Sequence, residues 1–265
     1  MHPMLNIAIR AVRKAGTIII RHYEITGYHE THETNYQTLS NNMKKDVLCQ
    51  MTTLILKSYP QHLILTEDTI KKEENQNTQW LINPLDSTIN YSKKLPHFSI
   101  SVTVRVKGRS EIAVIYDPMR NELFYASRGQ GAQLNGYRLR GSFTREINKA
   151  IITTNFPCIN NPNHKTYFQI VNRIWAQCPN VRRSGSPSLD LAYIAAGRID
   201  AYCEIGLKTL DFAAGELLIR EAGGLVTDFN GAHDYFYSGN LIAGNARIVK
   251  TILMNSKKDK TMIKD

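Results

Sequence analysis

The apolar residues of this chain change their spacing at about residue 63, and this change limits the folds that it can form. Residues 4–23 and 43–56 place apolar side chains three and four positions apart, which predicts two core-facing helices. The polar stretch 29–42 between them has no periodicity and predicts a loop. The segments that follow are rich in β-branched and aromatic residues and predict the strands of a mixed sheet: HLILT, QWLIN, FSISVTVRV, EIAVIY and ELFYAS.

The second half of the chain alternates helices with strands, which is typical of an α/β layer. Its predicted helices lie near 165–176, 187–197 and 211–222, and its predicted strands near 199–204, 225–228 and 240–243. No repeat or Gly/Ser hinge separates the halves, so residues 1–147 and 148–265 are expected to pack as one unit.

A GxG sequence lies in the segment RGQGAQLNG, where it raises the question of a dinucleotide site. No helix is predicted after it, which argues against such a site. The pair Asn135-Gly136 in the same segment predicts a tight hairpin instead.

Composition indicates a globular protein of the reducing cytoplasm. A chain of 265 residues can bury a substantial core, and its apolar runs are too short to span a membrane. The N-terminus lacks the order of regions found in a signal peptide. The four cysteines are scattered without a CxxC pair, which predicts reduced thiols at Cys49, Cys158, Cys178 and Cys203.

The chain is basic, with 33 Lys and Arg against 23 Asp and Glu, a formal charge of +10 and a pI near 9.4. Such a charge favours contact with RNA, acidic protein surfaces or anionic substrates. A general enrichment in lysine, visible in the tail KKDKTMIKD, explains it equally well.

Three separated segments carry acidic residues next to turns. Glu67 and Asp68 end a predicted strand, Asp86 follows a Pro-containing turn, and Asp211 stands at the start of an apolar helix. Taken singly, each is more simply a surface, turn or helix-cap residue. Taken together, they supply the oxygen ligands that Mg²⁺ prefers, beside a turn whose N–H groups suit phosphate.

These segments resemble, in order and spacing, the motifs of the inositol monophosphatase family. Those motifs are a Gly-Glu-Glu strand end, an Asp-Pro-Ile/Leu-Asp-Gly-Thr loop and a Trp-Asp-x-Ala-Ala-Gly helix start. The segments YDPMRNELF, RGQGAQLNGYRLRGS, SLDLAYIAAGRID and DFAAGELLIREAGG extend the similarity to bacterial members over essentially the whole chain. The resemblance implies a layered αβαβα sandwich, a homodimer, and Mg²⁺-dependent hydrolysis of inositol phosphate to inositol and phosphate.

The resemblance also implies roles for individual positions. It implies metal ligands at Glu67, Asn83, the Leu85 carbonyl, Asp86 and Asp211, and catalytic roles for Glu67 and for Thr88, which would orient the attacking water. Phosphate and inositol would be bound by Leu85, Asp86, Ser87, Thr88, Arg182, Gly185, Ser186, Glu204 and Asp211. For Arg182 and Glu204, ordinary surface ion pairing remains an alternative.

Several positions depart from the family pattern. Asn83 stands where the family has Asp, so one negative charge is missing where two metal ions would lie roughly 4 Å apart. Ser87 replaces a Gly, Thr66 another Gly, and Leu210 a Trp. Gln37 aligns with the carboxylate that helps to activate water, a role typically worth about a hundredfold in rate. Phosphatase activity is therefore expected to be reduced or lost.

The resemblance to bacterial members implies an alternative function. Proteins of this type also join the complex that prevents early termination of ribosomal RNA transcription. The alternative is thus a non-catalytic accessory factor that binds RNA polymerase, its elongation factors and the ribosomal RNA leader. The basic charge suits such partners, but the role itself follows from the resemblance alone.

Overall fold

The computed structural model describes residues 2–25, 33–69, 77–156 and 161–256, with the backbone alone for 33–39. Within these ranges, the helices are α1 Pro3–Ile25, α2 Glu33–Ser58, α3 Thr88–Ser92, α4 His164–Gln177, α5 Pro187–Ala195, α6 Thr209–Glu221, α7 Tyr235–Ser238 and α8 Ala246–Ser256. The strands are β1 Leu63–Leu65, β2 Thr78–Asp86, β3 Ser99–Val106, β4 Arg109–Asp117, β5 Glu122–Ser127, β6 Ala132–Leu134, β7 Tyr137–Arg138, β8 Ile152–Thr154, β9 Val181–Arg182, β10 Ala201–Glu204, β11 Leu225–Thr227 and β12 Leu241–Gly244.

Two sheets organise these elements. The first has seven strands in the order β1 to β7, with β1 and β2 parallel and the later neighbours antiparallel. The second has five strands in the order β11-β12-β10-β8-β9 and mixes parallel with antiparallel pairs. Among the described strands of the larger sheet, β1 and β2 are the only neighbours that run parallel, so their carboxyl ends point the same way, towards the place where the acidic segments meet.

The sheets and helices form five layers. Helices α1 and α2 pack on one face of the seven-stranded sheet, α5 and α6 lie between the sheets, and α4 and α8 cover the far face of the second sheet. In β4, Ile112 and Val114 face the first helical layer, whereas Ala113 and Ile115 face the second. Side chains alternate across a strand, so a strand covered on both faces is apolar throughout. The predicted αβαβα sandwich is confirmed.

Most predicted elements agree with the structure, and two differ. The stretch 29–42 is wrong as a loop from Glu33 onward, because α2 begins there; residues 29–32 lie outside the described residues. Extending a helix that already packs on α1 costs far less than nucleating one. Helix α8 was not predicted, although Ile248, Val249 and Ile252 are buried at helical spacing.

The hairpin predicted at Asn135-Gly136 is confirmed. Both residues have positive φ, 49° and 91°, between the antiparallel strands β6 and β7. That is the backbone of the type I′ turn, which the sequence Asn-Gly favours.

One buried cluster joins the two halves of the chain. Ala113 and Ile115 from the seven-stranded sheet pack with Leu217 and Leu218 of α6. This shared core supports the proposal that residues 1–147 and 148–265 form one unit.

Two further expectations concern membranes and thiols. No helix in the described part of the chain is long and apolar enough to cross a membrane. Cys49, Cys178 and Cys203 are free thiols, while Cys158 lies outside the described residues.

Candidate functional site

The parallel pairing of β1 with β2 brings the first two acidic segments together. Leu65 pairs with Leu81, so the chain after β1 continues alongside the last residues of β2, and Glu67 and Asn83 line one pocket. A pocket of about 440 Å³ opens there, and the start of α6 forms its other wall. Seven of the predicted site residues line this pocket: Glu67, Asn83, Leu85, Asp86, Ser87, Thr88 and Asp211.

The turn that ends β2 has an irregular backbone. Asn83 pairs with Ser101 and Asp86 with Ser99, so one extra residue bulges out around Pro84, which has no N–H to donate. Ser87 follows with φ 67° and ψ 68°, and its hydroxyl accepts a hydrogen bond from the Asn90 N–H at 3.4 Å. This left-handed conformation favours glycine, so Ser87 holds it at a steric cost.

Asp86 is buried and held by two serines. Its Oδ2 accepts a hydrogen bond from Ser186 Oγ at 2.6 Å and another from the Ser188 N–H at 3.0 Å. Burial, reinforced by the negative charge of Asp211, raises the pKa of Asp86 to about 8. An uncompensated carboxylate at this depth favours its protonated form.

Asp211 lies in the first turn of α6 and faces the same pocket. The helix begins at Thr209, and Lys208 occupies the cap position, so the alternative that Asp211 is a helix cap is wrong. Its Oδ1 accepts a hydrogen bond from Asn83 Nδ2 at 3.1 Å. Burial raises the pKa of Asp211 to about 6, while the nearby Lys208 ammonium opposes that rise.

Glu67 forms an ion pair with a lysine. Lys208 Nζ donates a hydrogen bond to Glu67 Oε1 in an ion pair between two well-exposed side chains. This bond is the main reason that the pKa of Glu67 lies below its usual value. Lys44, which projects from α2 into the same pocket, also lowers it.

Four predicted substrate residues lie outside the lining of this pocket. Ser186 contacts the pocket through Asp86. Gly185 has φ 84°, and a Cβ at this position would lie 3.4 Å from the Asn90 side chain. Glu204 accepts hydrogen bonds from Tyr202 Oη and from Asn155 Nδ2, and burial raises its pKa to about 7. Arg182 is exposed on β9, the edge strand of the second sheet.

The sequence prediction overlooked Lys44, Lys208 and Ser188. Lys208 precedes Asp211 by three positions, which places both at one end of α6, and this spacing was visible in the sequence. Ser188 bonds Asp86 through its N–H and the Asp211 carbonyl through its Oγ at 2.9 Å. No sequence signal indicated that link. Gln37 lies in α2, but its side chain is outside the described residues.

The implied metal site can be tested against this donor set. Asn83, Asp86 and Asp211 converge, but Glu67 is engaged by Lys208, and Lys44 lies in the same pocket. In the described ranges, no group of three or more His, Cys, Asp or Glu side chains is arranged to hold a metal ion. The residues therefore do not fit a resident divalent ion in the way that the resemblance implies.

A second, basic cleft lies away from the acidic pocket. It measures about 580 Å³ between the segment 138–145, the turn after α6 and the start of α8. Four exposed arginines line it, and none forms an ion pair among the described residues: Arg138, Arg140, Arg145 and Arg247. Glu221, the acidic residue in its lining, accepts hydrogen bonds from the N–H groups of Gly129 and Gly131. The cleft is thus suited to an anionic partner.

Comparison with known proteins agrees with the fold. A model described as the inositol monophosphatase family matches residues 1–261. The chain is 53% identical over 258 residues to Nus factor SuhB of Escherichia coli (strain K12), covering 97% of each.

Solved structures give the same result. The extragenic suppressor protein suhB of Bartonella henselae is similar at a TM-score of 0.85 and 32% identity, covering 97% of this chain and 100% of that one. An inositol monophosphatase from Anabaena (Nostoc) sp. PCC 7120 is similar at a TM-score of 0.82 and 30% identity, covering 95% and 94%.

Proposed function

Because this chain belongs to the inositol monophosphatase family, we propose that it is a SuhB-like phosphatase whose hydrolysis of inositol phosphate to inositol and phosphate is slow. Membership of the family points to phosphatase chemistry with a divalent metal, and we propose Mg²⁺ as that ion. The observation that carries slow turnover is the hydrogen bond from Asn83 to Asp211. It places an amide N–H against an oxygen that a metal ion would need.

The residues that line this pocket can be assigned separate roles in the proposed hydrolysis. We assign phosphate binding to the turn Leu85–Thr88 and positioning of the attacking water to Thr88, which lines the pocket beside Asp86. Of the implied metal ligands, Asn83, Leu85, Asp86 and Asp211 line this pocket together, whereas Glu67 is paired with Lys208.

The residues implied for inositol binding lie outside the lining of the acidic pocket. Ser186 and Gly185 form the turn next to Asp86, and burial and the charge of Asp211 both contribute to the raised pKa of Glu204, so these residues are proposed substrate contacts. Arg182 reaches the substrate only if it turns inward from the exposed edge of β9.

A Mg²⁺ titration of phosphate release from inositol 1-phosphate tests this function. We expect slow turnover that still rises at high Mg²⁺, and a half-saturating Mg²⁺ concentration about tenfold lower in Asn83→Asp, a typical size for changes beside a metal. Asn6→Asp, at an exposed position of α1, is the matched control. Wild-type turnover at the level of an active family member, with no gain from Asn83→Asp, would contradict the proposal.

A second function is favoured by the arginine cleft. Relatives that share up to 53% identity are named Nus factor SuhB. Four arginines without an ion pair to any described residue offer an anionic partner a site remote from the acidic pocket. We propose that the chain also acts in the cytoplasm as an accessory factor in antitermination of ribosomal RNA transcription. Its partners would be RNA polymerase, elongation factors or the ribosomal RNA leader.

Co-purification with RNA polymerase elongation complexes tests the second function. We expect retention by the wild type and by Asp86→Asn, with loss in the triple variant Arg140→Ser/Arg145→Ser/Arg247→Ser. The control has the same charge change at exposed sites elsewhere, Lys14→Ser/Arg21→Ser/Lys57→Ser. No retention at physiological salt, or equal loss in both triple variants, would remove the support for this role.

The oligomeric state needs its own measurement. The family resemblance leads us to propose a homodimer, and light scattering of the purified chain gives its mass directly. A monomer across the micromolar range would overturn that assignment.

A further inference from the structure

The acidic pocket holds two lysine ammonium groups. Lys208 Nζ binds Glu67 in an ion pair. Lys44 is half-buried on α2 and lines the same pocket as Glu67, Asp86 and Asp211. The two lysines come from opposite walls, one from α2 and one from the residue before α6. Positive charge therefore reaches the pocket from both sides.

The charge balance of the pocket differs from that implied by the family motif. With Asp at position 83 and no lysines, four carboxylates would need about two dications for neutrality. In this chain Asn83 is neutral, and the three carboxyl groups of Glu67, Asp86 and Asp211 share the pocket with two lysines. A dication entering this pocket would meet two positive charges and at most one unit of excess negative charge.

Because the two lysines are covalently part of the chain, they favour this charge balance of the pocket more than free ions would. Buried carboxylates need a compensating partner, since an unpaired charge away from water is costly. A lysine side chain supplies that partner without the loss of translational freedom that binding a free ion requires. The Asn83 amide adds a neutral donor to another pocket carboxyl, Asp211 Oδ1.

We propose that Lys44 and Lys208 are built-in counter-cations that take the place of the divalent metal ions in this pocket, so that its structure forms without metal. This inference rests on the proposed function, because it names the reason for slow turnover. It goes further in assigning roles to two residues and in stating that the folded site is independent of metal.

The ion pair between Lys208 and Glu67 is not by itself evidence that Lys208 acts as a counter-cation. Lys208 and Glu67 are 65% and 63% exposed, and exposed pairs of this kind contribute little to stability. The distinguishing property is competition: removing the ammonium groups should create a metal site. The experiment therefore measures metal binding, with stability as a second readout.

Mn²⁺ binding and melting temperature provide these two readouts. The proteins compared are wild type, Lys44→Met, Lys208→Met, the double variant and Lys57→Met, an exposed position of α2 outside the pocket. Methionine keeps the length of the side chain and removes its charge. We expect wild type and Lys57→Met to melt alike in EDTA and in Mg²⁺.

The double variant should bind Mn²⁺ at least about tenfold more tightly and gain at least about 3 °C on adding Mg²⁺, which corresponds to a modest binding energy in a chain of this size. If Lys44→Met does not fold, the exposed Lys208→Met decides the same comparison. A wild type that is destabilised by EDTA, or Mn²⁺ affinity unchanged by either substitution, would overturn the proposal.

These outcomes are separable from those of the proposed function. Tight Mn²⁺ binding by the wild type would remove the counter-cation role and leave slow turnover to be explained by Asn83. Rapid turnover by the wild type would overturn the proposed function whatever the Mn²⁺ affinity.

Discussion

Asn83 Nδ2 donates a hydrogen bond to Asp211 Oδ1 at 3.1 Å, across 128 residues of sequence. The bond joins the end of β2 to the first turn of α6, and so it connects the two halves of the chain at the acidic pocket. An aspartate in place of Asn83 would put two carboxylates at this contact. The amide thus makes the contact favourable without an intervening cation.

The Asn83→Asp variant should therefore be less stable without metal. Loss of the hydrogen bond and repulsion between carboxylates should lower the free energy of unfolding by about 1–3 kcal/mol at neutral pH. Urea unfolding in EDTA measures this change, and Mg²⁺ should reverse part of it. Asn77→Asp, exposed before β2, should unfold like wild type. Equal stability of Asn83→Asp and wild type in EDTA would show that the contact is unimportant.

Substitutions at Ser87 should separate backbone strain from side-chain capping. Ser87 has φ 67°, where a residue with a Cβ pays about 1–2 kcal/mol. Ser87→Gly and Ser87→Ala both lose the hydroxyl that accepts from Asn90, but only Gly relieves the strain. Denaturant unfolding should show Gly more stable than Ala by about 1 kcal/mol, after the entropy of Gly in the unfolded chain is included. The reverse order would argue against this backbone conformation.

Glu204 should make stability fall as pH rises from about 4.5 to 7. Its pKa is raised from 4.5 to about 7 by burial, so in this window the unfolded chain ionises and the folded chain does not. Below pH 4.5 Glu204 is protonated in both the folded and the unfolded chain, so it causes no loss of stability there. The loss from this group is at most about 3 kcal/mol.

Comparison of Glu204→Gln with wild type isolates that contribution. The variant keeps an acceptor for Tyr202 and Asn155, and its stability should fall less between pH 4.5 and 7. Glu146→Gln, an exposed carboxylate, should follow the wild-type profile. Parallel profiles for Glu204→Gln and wild type would contradict the raised pKa.

Gly215 allows α5 and α6 to approach closely enough to assemble the site. A Cβ at this position would lie 2.3 Å from Leu191 Cβ, a distance that requires the helices to separate. Gly215→Ala should cost about 1–3 kcal/mol or more. It should also weaken the Ser188 contacts with Asp86 and Asp211, which chemical shifts of the Ser188 amide would report. An unchanged melting temperature would rule out this packing.

Much of the fold could be predicted from the sequence because local patterns decide it. Apolar residues at helical spacing specify α1, and continuous runs of β-branched and aromatic residues specify β2 to β5. The hairpin at Asn135-Gly136 followed from local conformational preference. The start of α2 at Glu33 did not, because extending a helix whose later turns pack on α1 outweighs the weak local preference of a polar stretch.

The sequence by itself determined the family, the order of the layers and the identities of Glu67, Asp86 and Asp211 as the acidic points. Only the tertiary structure decided what surrounds them. Parallel pairing of β1 and β2 set Glu67 near Asn83, and α6 brought Lys208 to Glu67 across 141 residues. Charge balance in a pocket depends on distances between distant segments, which a linear pattern does not contain. The sequence therefore named the carboxylates, and the fold supplied their lysine partners.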